Sequence, residues 1–218
     1  MLSRAGYFVE QLKLLEPGFN TKFKTDSWLM KVLAFVLFFM NFKDFTTTIG
    51  TTVYLPSQEA LDKANHNRLL PLLAHEFTHA REPFYQSALY LMPQLLVLLM
   101  PLLFLLVPWY LALLGLLFLA PLPAYWRKEF EYRGYGTTLF VYDLLLQEQG
   151  MSILDREERL IARAKDAATH FTGKNYYFMW PFGQEERLIN HVGEILHQNP
   201  ISYNQNYREI AQALENSK

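Results

Sequence analysis

No Asp, Glu, Lys, Arg or His occurs in the 44 residues between Glu82 and Arg127. Nothing else in the chain restricts its folding as strongly, because so long an uncharged stretch must leave water. Residues 88–123 are almost entirely Leu, Val, Met, Phe, Pro and Ala. A bilayer crossing takes about 20 residues at roughly 1.5 Å each, so the run predicts a transmembrane helical hairpin over residues 83–126. Val107-Pro108-Trp109-Tyr110 is its natural tip, since proline breaks a helix and the aromatic rings suit an interface. Lys63, Arg68 and Arg81 precede the run, Arg127, Lys128 and Arg133 follow it, and the tip is uncharged. That pattern places both ends on the cytoplasmic side. The expectation is an integral membrane protein of a bacterial inner membrane or its equivalent, with the lipid bilayer as a partner.

The remainder reads as a core interrupted by that insertion, in three parts: residues 1–82, 83–126 and 127–218. Trp28–Phe42 is a shorter apolar stretch of 15 residues containing Lys31, which suits an interface-lying amphipathic helix better than a third crossing. Residues 46–56 are β-branched and end at Pro56, which predicts a strand pair or a long edge strand. Beyond Arg127 the pattern is helical: 138–149 up to Gly150, 152–170, 184–197 and 204–214, with a break at Pro200. The aromatic-rich stretch 175–183 is expected to pack on the core or the bilayer surface. Met1–Tyr7 lacks the apolar core of a secretory signal. The absence of cysteine excludes disulfides and thiolate metal sites, and it fits a reducing compartment. A net charge of −1 without a basic stripe argues against a nucleic-acid partner.

Just before the uncharged run stands His75-Glu76-Phe77-Thr78-His79, an HExxH motif. Histidines at i and i+4 lie one above the other on a helix, so both imidazoles reach one metal ion. The glutamate between them is placed to take a proton from the attacking water. Leu69, Leu72, Leu73, Phe77 and Ala80 give the segment an apolar face at helical spacing, and Pro71 sets the expected helix start near Leu69 or Leu70. Zn²⁺ suits such a donor set, and a catalytic zinc takes three protein ligands. The third is sought where the chain re-emerges, in Arg127–Tyr135. Glu131 and Glu129 compete; about 200° separates them around a helix, so one of the two faces the metal. His170 and Asp143 are further candidates. For an oxyanion donor or a group supporting the ligands, Tyr135, Arg133, Tyr132 and His170 are available. His66, His191 and His197 read as surface residues. A strand edge near the metal could hold an extended polypeptide by main-chain hydrogen bonds, or residues 46–56 could be a plain ribbon.

HExxH, an apolar hairpin and then Arg127-x-x-x-Glu131-Tyr132-x-Gly134 resembles the HtpX-like and CaaX-prenyl-protease type of membrane zinc metallopeptidase. The resemblance covers residues 69–136. It implies a mainly α membrane protein with a zincin-like (gluzincin) helical core, a small β element and an inserted transmembrane hairpin. It further implies His75, His79 and Glu131 as zinc ligands and Glu76 as the catalytic base and acid. It departs at Tyr135, where that group carries Asp, and in size, which is closer to compact forms carried by phages. The implied function is a zinc endopeptidase cutting membrane or membrane-proximal polypeptides at the cytoplasmic face. A site-2-type intramembrane peptidase fits less well, since the chain has no Asp-Gly pair. The reading from another class is a non-catalytic membrane interaction or pore-type protein with a degenerate motif.

Overall fold

The computed structural model describes residues 3–36, 46–57, 66–83, 89, 100–115, 124–172 and 182–218. Helix α1 (Arg4–Leu15) starts at Ser3, whose Oγ accepts a hydrogen bond from the Gly6 N–H at 3.3 Å. Ala5, Phe8, Val9 and Leu12 recur at helical spacing and form its buried face. Three short strands follow: β1 (Asn20–Phe23), β2 (Thr47–Ile49) and β3 (Thr52–Leu55), with helix α2 (Trp28–Val36) between the first two. The sheet order is β1-β3-β2, with β1 parallel and β2 antiparallel to β3. Gly50 and Thr51 alone connect β2 to β3, and Gly50 takes φ +58°. Glycine in that position permits a tight two-residue turn matched to the strand twist. The strand pair expected over 46–56 is thus a hairpin, and the parallel strand β1 extends it.

The motif helix is α3 (His66–Ala80). Its described part reaches three to four residues ahead of the expected start, so Pro71 lies inside the helix beyond the first turn, where its ring has no N–H to give to the carbonyl of residue 67. Its main partner is α6 (Tyr125–Glu148), a single 24-residue helix. It ends where Gly150 turns to φ +71° and its N–H bonds the Gln147 carbonyl at 2.9 Å. Helices α7 (Ile153–Thr172), α8 (Gln184–His197) and α9 (Gln205–Glu215) follow the expected segments to within two residues. Ser152 caps α7 through the Asp155 N–H, and Asn204 caps α9 through the Tyr207 N–H. One apolar core runs through the chain from Ala5 to Leu214 and joins the residues on either side of the 83–126 connection.

That connection departs from expectation. Its described residues form α4 (Met100–Leu106), seven residues long, and α5 (Trp109–Ala112), four residues long. Among the described residues no helix is long and apolar enough to cross a membrane. This overturns the inserted transmembrane hairpin and, with it, the integral membrane protein and inner-membrane location. Among the described residues Pro108 separates α4 from α5, and neither piece approaches the roughly 20 residues that a crossing takes. Residues 84–88, 90–99 and 116–123 of the predicted hairpin lie outside the described residues. The helix predicted over 28–42 is seen from Trp28 to Val36; residues 37–45 lie outside the description, as do 175–181 of the aromatic-rich stretch. On α2 Met30 is buried while Trp28, Leu29, Val32 and Phe35 are exposed. What is seen of the expected architecture is a mainly helical chain with a small sheet.

Candidate metal centre

Helix α3 is fixed by burial of Leu69, Leu70, Leu73, Ala74 and Phe77. Phe77 meets Phe19 edge-on, with ring centroids 5.2 Å apart. At the C-terminal end Arg81 pairs with Glu209 at 2.5 Å and reaches Asn206 at 3.1 Å, tying the helix to α9. The face so presented to α6 carries His75 and His79, whose Nε2 atoms stand 3.1 Å apart. Glu131 Oε2, on α6, is 3.4 Å from His75 Nε2. One ligand atom from each of the three residues falls within 4.8 Å of the others.

The 3.1 and 3.4 Å separations suit one small cation. Donors about 2.0–2.1 Å from a tetrahedral metal stand roughly 3.3 Å from one another. Two imidazole nitrogens and a carboxylate are also the donor types that zinc prefers. The tautomer agrees. Thr138 gives its single hydroxyl hydrogen to the Gly134 carbonyl at 3.1 Å, so it must accept from His75 Nδ1–H at 3.2 Å. The lone pair of His75 is therefore on Nε2, facing the other two donors. Glycine at 134 is required by the same contact: a Cβ there would stand 2.6 Å from His75 Cε1 and 2.7 Å from Nε2. The His75 ring occupies the space that a side chain would fill.

His79 is held from its other side. Its Nδ1 lies 3.6 Å from Glu82 Oε2, and Arg133 binds Glu82 Oε1 at 2.7 Å. Burial opposes the charged form of His79, but Glu82, Glu131 and Glu76 outweigh it and push its pKa up to about 9. Three carboxylates thus set a negative potential where the imidazoles meet, which favours a cation there. Glu76 projects beside the donors without joining them. It is buried, and its Oε2 accepts a hydrogen bond from Thr48 Oγ1 of β2 at 2.5 Å.

The other candidates are placed elsewhere. Glu129 points away from α3 to α8, where Arg187 grips both its oxygens at 2.8 and 2.9 Å. Arg187, aided by Lys128, holds the Glu129 carboxyl down to about 2 despite partial burial. Asp143 is buried against Arg156, with contacts of 2.8 and 2.9 Å. Tyr132 lies under the Arg187 guanidinium, 3.6 Å from its ring centre. Arg133 serves Glu82. Tyr135 and His170 come together: the hydroxyl meets His170 Nδ1 at 2.8 Å, and the Tyr135 ring packs edge-on against His75 at 5.0 Å. His197 is exposed as expected, but His191 is partly buried between Tyr207 Oη at 2.8 Å and Glu194 at 2.7 Å. The side chain of His66 lies outside the description.

Three members of the site are not evident from the motif alone. Glu82 carries a local signal, one helical turn after His79. Thr138 lies seven residues after Glu131, on the same helical face. Thr48 comes from a separate strand and has no local signal. Comparison with models of protein families, with curated proteins and with solved structures finds no match.

Proposed function

We propose that the chain is a zinc-dependent metallopeptidase, hydrolysing peptide bonds in polypeptide substrates. The observation that carries this reading is the convergence of His75, His79 and Glu131 on one point, with Glu76 alongside. His75, His79 and Glu131 would hold the ion, and they are oriented by Thr138, Glu82 and the packing at Gly134. Bound there, zinc supplies Lewis acidity to the scissile carbonyl and lowers the pKa of the attacking water. Glu76 then takes the proton of that water and returns it to the leaving amine. The Thr48 hydroxyl limits the orientations open to its carboxylate. Tyr135, tied to His170, packs against His75. The motif resemblance to HtpX-like peptidases points the same way.

The test begins with metal content. Purified chain incubated with zinc and desalted should hold about one zinc per molecule, lost in His75→Ala and Glu131→Ala but retained in Glu129→Ala. Glu76→Gln should keep the zinc and abolish cleavage of fluorescein-labelled casein. Wild-type protein that holds no zinc, or a Glu76→Gln variant as active as wild type, would sink the reading.

A further inference from the structure

The hairpin places Thr48 in two roles at once. A two-residue turn makes Ile49 and Thr52 a hydrogen-bonded pair, so pairing alternates to leave Thr48 and Val53 as a non-hydrogen-bonded pair. In such a pair the N–H and C=O of each residue point away from the partner strand. The other neighbour of β3 agrees: Asn20 N–H bonds the Thr51 carbonyl at 3.0 Å, so residues 51 and 53 face β1 while 52 and 54 face β2. The main chain of Thr48 therefore points to the outer edge of β2, beyond which no described strand lies. Its side chain, perpendicular to the sheet, reaches Glu76 at 2.5 Å.

We infer that Thr48 is a positioning residue that couples the docking of an extended polypeptide on the β2 edge to the orientation of the Glu76 carboxylate. This rests on the peptidase reading above and adds to it how the base is aimed. A strand added at this edge bonds the N–H and C=O of Thr48, and that contact fixes the backbone from which the hydroxyl reaches Glu76. By holding Oε2, the hydroxyl leaves Oε1 to meet the attacking water. Geometry of this kind matters to rate more than to binding, because a displacement of about 1 Å in a reacting group can cost on the order of a hundredfold.

The experiment uses the full chain, loaded with zinc or with cobalt(II), as wild type, Thr48→Val, Thr48→Ser and Glu76→Gln. Thr48→Val keeps the shape and the strand preference but removes the donor. It should lower kcat on fluorescein-labelled casein by about ten- to a hundredfold, with zinc content and KM unchanged. Thr48→Ser restores the donor and should recover most of the loss. The visible spectrum of cobalt-loaded Thr48→Val should move towards that of Glu76→Gln, while Thr48→Ser overlays wild type. An unchanged kcat in Thr48→Val, a loss that serine does not recover, or a change confined to KM would overturn the inference. If wild type holds metal yet leaves casein intact, the peptidase reading fails by itself. The cobalt spectra then report on the Thr48–Glu76 contact alone: an unmoved Thr48→Val spectrum refutes the positioning role as well, and a shift that serine reverses keeps that role while the docking on the β2 edge falls with the peptidase reading.

Discussion

The seam between α3 and α6 and the segment 100–115 are both rich in large apolar side chains, yet they are put to opposite use. In the seam Leu70, Leu73, Phe77 and Leu139 are fully or almost fully buried, and polar groups among them have specific partners. In the segment Leu105 is 83% exposed and Trp109 67% exposed. Leucine content does not separate the two regions. What separates them is the company each apolar residue keeps along its helix. On α3 the leucines share 15 residues with charged and polar groups at helical spacing, so burial has a direction. In the sequence of α4 and α5 every position is apolar or aromatic, Pro108 separates the two described helices, and no polar residue marks a direction for burial. A strong amphipathic pattern specifies a neighbour, whereas uniform hydrophobicity specifies only a dislike of water.

Phe77 is fully buried in the seam. Phe77→Ala should remove about 3–5 kcal/mol of folding stability, because it deletes a fully buried ring packed on Phe19. Urea unfolding of the metal-free chain checks this, and a loss below about 1 kcal/mol would mean that the seam tolerates a cavity it should not. Gly134→Ala tests close approach instead of burial. The added methyl meets the His75 ring at 2.6 Å, so either helix shifts or the imidazole turns. An overpacking cost of about 1–3 kcal/mol is expected, together with loss of stoichiometric zinc. Retained zinc at wild-type affinity would show that His75 need not lie against α6. Thr138→Val is milder. It removes the acceptor for His75 Nδ1–H while keeping volume, and zinc affinity measured by competition with a chelator should fall about 10- to 100-fold.

The same contrast explains how much could be read from residues in order. The HEFTH segment declares itself, because i and i+4 histidines over an apolar stripe have a single helical reading. Glu131 against Glu129 could be narrowed to one of two by angle alone. The decision rests on Arg187, 58 residues after Glu129, which claims that carboxylate from another helix. Gly134 reads as a small residue of a motif, and only the packing gives its cause, the ring of His75. Glu82 supports His79 from within one turn, a position that the motif alone does not mark as functional. Helix ends at Ser152, Asn204 and Gly150 follow local capping chemistry and were accessible for that reason. The membrane hairpin failed on a different ground. Absence of charge measures the cost of contact with water, whereas a crossing also requires one long unbroken helix, and the described helices of this segment, Met100–Leu106 and Trp109–Ala112, are too short for that.

The smallest effect is expected on the exposed side of the comparison. Leu105 projects from α4 with 83% of its surface in solvent, so folding removes little of its side chain from water. Leu105→Ser then sacrifices almost no transfer free energy, and surface substitutions of this kind usually stay within about 0.5 kcal/mol. Measured beside Phe77→Ala under the same urea conditions, it should leave the unfolding midpoint nearly unmoved. A cost of 2 kcal/mol or more, on the order of a core deletion, would place Leu105 in a packed interface of the folded chain. The two regions would then differ in who their neighbours are, no longer in whether they have any.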